Sequence, residues 1–167
     1  QLIFFYLPIG SGQTCSNIPT WMKNTINFNS KIVGGMIATS SIPWQVQVHL
    51  SDGTFCGGTI LDEYTILSAA HCKLTSTTTI VAGATSLNSG SQTIRVKNAV
   101  NHPNYDRTTL AFDYSIAKLT SALSFNTNVK PACLPTSNFV PRNVAVASGW
   151  GSIKNCKFVF DFNISNV

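Results

Sequence analysis

The sequence predicts an all-β protein, a barrel or a sandwich. Three observations point there: short runs that alternate apolar and polar residues, turn signals between them, and no long stretch with helical period. In "IPWQVQVHL", residues 42–50, alternation puts Trp44, Val46, Val48 and Leu50 on one side and Gln45, Gln47 and His49 on the other, as in a half-buried strand. Asp52-Gly53 follows, a strong hairpin signal, and "TFCGGTIL", residues 54–61, reads as the return strand. "YTILSAA", residues 64–70, is a third strand. "TTTIVAG", residues 77–83, and "QTIRVKNAV", residues 92–100, add two more around the Ser/Gly/Asn-rich loop "ATSLNSGS". "DYSIAKL", residues 113–119, completes the set. Residues 1–31 show no sustained period and read as an extension ahead of the folded unit.

At 167 residues the chain suits one domain, or one and a fraction. Hydrophobic residues make up 44% and charged residues 10%, which describes a globular chain and excludes a disordered one. The net charge of +5 comes from few acids, six against eleven basic residues, and the basic residues are scattered. No basic patch of the kind phosphates require is present, so nucleic acid is not expected as a partner. No apolar run reaches the length of a membrane span, and no membrane partner is expected. "LIFFYLPIG", residues 2–10, fits either the tail of a signal peptide's apolar region or an ordinary buried segment. The cysteines are Cys15, Cys56, Cys72, Cys133 and Cys156. They form no CxxC, so no structural metal is expected, and disulfides in an oxidising compartment explain them better. Their odd number leaves one thiol without a partner in the chain.

His71, in "SAAHC", is a candidate general base. Such a base needs a group to orient it, usually a buried carboxylate on the far ring nitrogen. Asp52 sits in a turn, Asp62 and Glu63 in the next, and Asp106 in a polar loop; Asp161 lies near the end. Asp113 alone adjoins a strongly apolar strand, where burying a carboxylate is costly unless it is paired. His49 fits the polar face of its strand, and His102 precedes a proline in a loop. A core or loop histidine and a strand-edge aspartate fit His71 and Asp113 too, so pattern alone leaves the pair undecided.

Seven segments occur in order: "KIVGG" (31–35), "PWQVQV" (43–48), "CGGTILDEYTILSAAHC" (56–72), "HPNYD" (102–106), "FDYSIAKL" (112–119), "ACLP" (132–135) and "SGWG" (148–151). Together they closely resemble the trypsin/chymotrypsin family of serine endopeptidases, over roughly residues 31–151. The resemblance implies a chymotrypsin-like double antiparallel β-barrel with the active site in the cleft. It implies a propeptide-like extension at 1–31 and a protease domain at 32–167. Within that domain, the first barrel takes about 32–135, the start of a second about 136–151, and a divergent tail 152–167. His71 matches the family's general base and Asp113 the carboxylate that fixes its tautomer. Cys56 and Cys72 match the disulfide beside that histidine, and Cys15 and Cys133 a bridge tethering the propeptide. Lys31-Ile32 matches the activation site of a zymogen, where a cut frees the isoleucine amino group. A secreted, extracellular enzyme follows, with protein or peptide substrates, an activating protease as partner, a preference for Lys or Arg, and no cofactor.

The sequence departs from the family in one large respect. The nucleophile lies in a "GDSGGP"-type motif, and no such motif occurs in these residues. In this family, the type case for the triad, the serine follows the aspartate by about 90 residues, beyond Val167. The 167 residues alone are therefore expected to be inactive, and the beginning of a second barrel is expected to leave strand edges open. After "GWG", the stretch "SIKNCKFVFDFNISNV" shows no resemblance to the family's continuation. Cys156 matches no family position, and Ala145 stands where a cysteine is frequent. Asn163, in "NIS", is a weak glycosylation signal. The loop at 83–93 corresponds to a calcium site in some members but has no Asp or Glu, so no calcium is expected. The alternatives are a non-catalytic homologue acting as a binding or regulatory protein, and a non-functional fragment.

Overall fold

The computed structural model describes residues 3–4, 38, 40–134 and 147–151. Its strands in chain order are β1 (Ile3–Phe4), β2 (Gln45–His49), β3 (Phe55–Asp62), β4 (Thr65–Ser68), β5 (Thr79–Ala82), β6 (Gln92–Asn101), β7 (Ser115–Leu119) and β8 (Ala147–Ser148). Six of them close an antiparallel barrel in the order β2-β3-β4-β7-β6-β5, with β5 returning to β2. Each expected strand is present, because period-two alternation is what a barrel wall requires of its residues. β1 and β8 form a separate antiparallel pair, Ile3 opposite Ser148. Thus part of the apolar segment at residues 2–10 is a strand.

Inward-facing residues fill the barrel. Val46, Val48, Ile60, Ile66 and Ile80 are wholly buried, and Val96, Ala117 and Leu119 join them in one cluster. Burying each of the larger aliphatic side chains contributes about 1.5–3 kcal/mol. Leu74, Leu123 and Val129, from the connecting segments, belong to the same cluster. After β7 the chain returns along the wall: Lys130 donates its amide to Pro43 O, and Ala132 donates to Ile60 O. Closure needs local curvature, and register shifts at Ile60/Asp62 and Val96/Asn98 supply it.

Two glycines are set by geometry. Gly53 has φ +82° in the β2–β3 turn, and its amide bonds to Leu50 O. Gly58 lies inside the barrel wall. A Cβ there would meet Ile66 Cγ2 at 2.8 Å and Val46 Cγ2 at 3.0 Å. The "CGG" of β3 thus lets the walls of β2 and β4 approach.

The other face of β2 differs from expectation. Gln45 and Gln47 were expected on an open polar side, yet they are 3% and 0% exposed. The loop after β5 and the segment 147–151 cover them and satisfy their amides, which makes polar burial tolerable. Gln45 Nε2 donates to Ser148 O at 2.9 Å, and Gln47 Nε2 donates to Ser86 O at 2.8 Å. Gln47 Oε1 accepts from the Asn88 amide and lies 2.8 Å from His49 Nε2. An acceptor opposite that nitrogen means His49 Nε2 carries its proton. Trp150 Nε1 donates to Thr85 O, closing the cover.

Two outcomes follow. Gly58→Ala forces a methyl into a filled wall and is expected to cost about 1–3 kcal/mol in urea unfolding. An unchanged midpoint would contradict the packing. Burial lowers the His49 pKa below its usual 6.5. Below that value the unfolded chain binds a proton that the folded chain resists, so His49 weakens the fold progressively as pH falls through 6.5. His49→Gln is expected to flatten this part of the stability–pH curve, measured from about pH 7.5 to about pH 5.

Candidate active site

The pairing of β4 with β7 brings the site together. The two strands run antiparallel and end on the pair Ser68–Ser115. The chain leaving β4 therefore emerges beside the chain entering β7. His71 lies three residues beyond Ser68, and Asp113 two residues before Ser115. Residues 42 positions apart in sequence thus meet at one rim of the barrel.

His71 occupies a 3-10 turn, Ala70–Cys72. The turn is brief because Lys73 takes a left-handed backbone, φ 53°, and its amide bonds back to Ala70 O. A disulfide joins Cys72 to Cys56 on β3 with Cα atoms 6.3 Å apart. It closes a separation of 16 residues, which in the chain-entropy model restrains the unfolded state by about 3 kcal/mol. Ser68 Oγ donates to Gly57 O at 2.8 Å, a second tie between β3 and the approach to the turn.

Asp113 sits at the end of the β6–β7 loop. Leu110 and Phe112 before it have positive φ, 57° and 54°, a conformation side-chain-bearing residues seldom adopt without surrounding support. Support comes from an aromatic clasp. His102 stacks on Phe112 and leans against Tyr114, both at 4.7 Å between centroids. His102 donates its amide to Tyr114 O, and its Nδ1 accepts from the Asn104 amide. His102 is thus structural, as its place in the sequence suggested. The clasp itself escaped the sequence reading, although aromatic residues on both sides of an aspartate, "FDY", were its available signal.

The Asp113 carboxylate grips His71 at two points. Oδ1 accepts the His71 backbone amide at 2.8 Å, and Oδ2 lies 2.5 Å from Nδ1 of the ring. A carboxylate only accepts, so Nδ1 carries the proton and Nε2 holds the lone pair. The two side chains are 29% and 20% exposed, shielded but reachable. The Tyr105 phenol is held above its usual pKa by desolvation and then by the negative charge of Asp113. Chemically, the arrangement is an imidazole oriented and tautomerically fixed by a carboxylate, able to take a proton at Nε2.

Cys56, Cys72 and His71 also bring possible ligand atoms within 4.8 Å of one another. The two sulfurs are bonded to each other, so neither is the thiolate a soft cation needs. Cys56 further lines an open groove of about 370 Å³ with Phe55, Gly57, Leu87 and Trp150. The remaining sequence-derived positions, Lys31, Ile32, Cys15 and Asn163, lie outside the described residues. Cys133 is disulfide-bonded, and its expected partner Cys15 is among those positions.

Comparison with known proteins matches this arrangement. A family model described as Trypsin matches residues 32–167, which includes the tail 152–167 where no resemblance was legible. Trypsin delta and trypsin gamma of Drosophila erecta are each 40% identical over 130 residues, 74% of this chain and 51% of theirs. Trypsin alpha of Drosophila melanogaster is 35% identical over 128 residues, 74% of this chain and 50% of its own. The chain thus spans about half the length of the curated relatives it matches. A six-stranded barrel with a clamped histidine at its rim, and a family match over most of the sequence, place the chain in the trypsin family.

Proposed function

We propose that the protein is a secreted serine endopeptidase with a preference for Lys or Arg, made as a zymogen and cut after Lys31. His71 serves as the general base and Asp113 as the carboxylate that orients it. The observation that carries this reading is the double contact between Asp113 and His71, which leaves the ring with its proton on Nδ1 and its lone pair on Nε2. Nε2 takes the proton of a serine hydroxyl as that oxygen attacks the substrate carbonyl. It then delivers the proton to the leaving amine, and an acyl-enzyme remains for water to hydrolyse. Asp113 stabilises the imidazolium formed between these steps. Protein or peptide chains are the substrates, and a second protease with specificity for basic residues is the activating partner.

No "GDSGG"-type motif occurs among these 167 residues, so on this reading the serine that His71 serves is not one of them. Cutting after Lys31 releases the amino group of Ile32, whose new positive charge is the activating signal. Among the described residues no helix is long and apolar enough to cross a membrane. The Cys56–Cys72 disulfide accords with an oxidising compartment.

The test uses a fluorophosphonate that labels activated serines. The full-length protein, cleaved after Lys31, is expected to label, whereas residues 1–167 alone are not. Asp113→Asn in the full-length protein is expected to lower kcat by about 10⁴-fold, the loss this change causes in the enzymes that define the triad. Labelling of residues 1–167 alone, or near-normal turnover by Asp113→Asn, would refute the assignment.

A further inference from the structure

The described basic residues differ sharply in whether a protease could cut after them. Arg95 in β6 pairs with Thr79, Lys118 in β7 pairs with Thr65 and Asn98, and Lys97 lies at the register shift between the paired Val96 and Asn98, held in the barrel wall on both sides. Lys130 precedes Pro131, whose ring restricts the backbone and crowds the bond to be cut. Lys73 directly follows the disulfide-bonded Cys72, and the next residue, Leu74, is buried in the core. Arg107 stands apart. It lies at the tip of the β6–β7 loop, and residues 106–112 are all exposed. The tip is closed by one backbone bond, from the Asp106 amide to Ala111 O, and by local contacts such as Thr108 N to Asp106 Oδ1. A protease binds its substrate extended. Opening this tip breaks few bonds, whereas opening β6 or β7 dismantles the barrel.

The position gives such a cut a consequence. Thr108 is five residues before Asp113, and between them lie Leu110 and Phe112 with positive φ. That backbone persists because the loop is anchored at both ends, by β6 and by β7. Hydrolysis of the Arg107–Thr108 bond adds water across it, leaving a carboxylate on Arg107 and an ammonium on Thr108. The stretch 108–111 then becomes a loose end, and Leu110 relaxes toward an ordinary conformation. Asp113 keeps its link to β7, and on its other side only the stack of His102 on Phe112 still holds it. The pieces stay associated, since β6 and β7 remain paired from Val96 to Asn101.

We propose that Arg107–Thr108 is an inactivating cleavage site for proteases with specificity for basic residues, further copies of this protein included. Cutting it unsets the Asp113 grip on His71 without dissociating the barrel. The loss of activity rests on the reading of His71 and Asp113 as base and orienter; the location of the cut does not.

The experiment treats the full-length protein, already cleaved after Lys31, with a trace of a trypsin-type protease. Fragments are mapped by amino-terminal sequencing, and fluorophosphonate labelling is followed in parallel. The first new terminus is expected at Thr108, with the labelling rate falling as the nicked form accumulates. Arg107→Gln removes the charge such a protease recognises and is expected to slow both changes by at least about tenfold. A first cut elsewhere overturns the site, and nicked protein that labels as fast as intact protein overturns the switch. If intact protein never labels, the protease reading fails and the switch with it. The fragment map then still decides whether Arg107 is the open bond.

Discussion

One carboxylate holding one histidine at two points is the contact on which the site depends. Asp113 takes the backbone amide of His71 with one oxygen and the ring Nδ1 with the other. The first bond fixes where the turn lies, and the second fixes how the ring is oriented and which nitrogen is protonated. Neither works without the other, since a ring bond alone tolerates a swinging loop. A charge shielded to this degree costs less when its acceptors are filled. Asp113 therefore serves the fold and the chemistry with the same two oxygens.

The rest of the barrel serves to deliver these groups. The Ser68–Ser115 pairing sets β4 against β7, and a one-residue slip would move the histidine and the aspartate apart. Such a slip would also turn Ile66 and Ala117 out of the core, so burial enforces the register that the site needs. The disulfide to β3 anchors the histidine turn from behind, and the aromatic clasp on His102 anchors the aspartate from its own side. Each anchor is made by groups that take no part in proton transfer.

Much of this was legible in the sequence. The six barrel strands follow from alternation, because a wall with a filled interior forces a period of two. The meeting of His71 with Asp113 did not follow from pattern, since pairing across 42 residues is decided by strand register; resemblance to a family supplied it. The polar side of β2 was misjudged for an instructive reason. Alternation reports that Gln45 and Gln47 avoid the apolar core, but it cannot report that a later loop and a distant segment will cover them. Glutamine buried under backbone donors and acceptors looks, in sequence, like glutamine in water. The left-handed backbone at Leu110 and Phe112 was equally silent, since neither residue type advertises it.

The claim that a carboxylate fixes the histidine's tautomer is open to direct measurement. Nitrogen-15 NMR of the labelled ring, at a pH where His71 is neutral, distinguishes a protonated ring nitrogen from one with a lone pair. The account predicts a single tautomer with the proton on Nδ1, replaced by a mixture when Asp113 becomes alanine. A proton on Nε2, or a spectrum indifferent to Asp113, would contradict it.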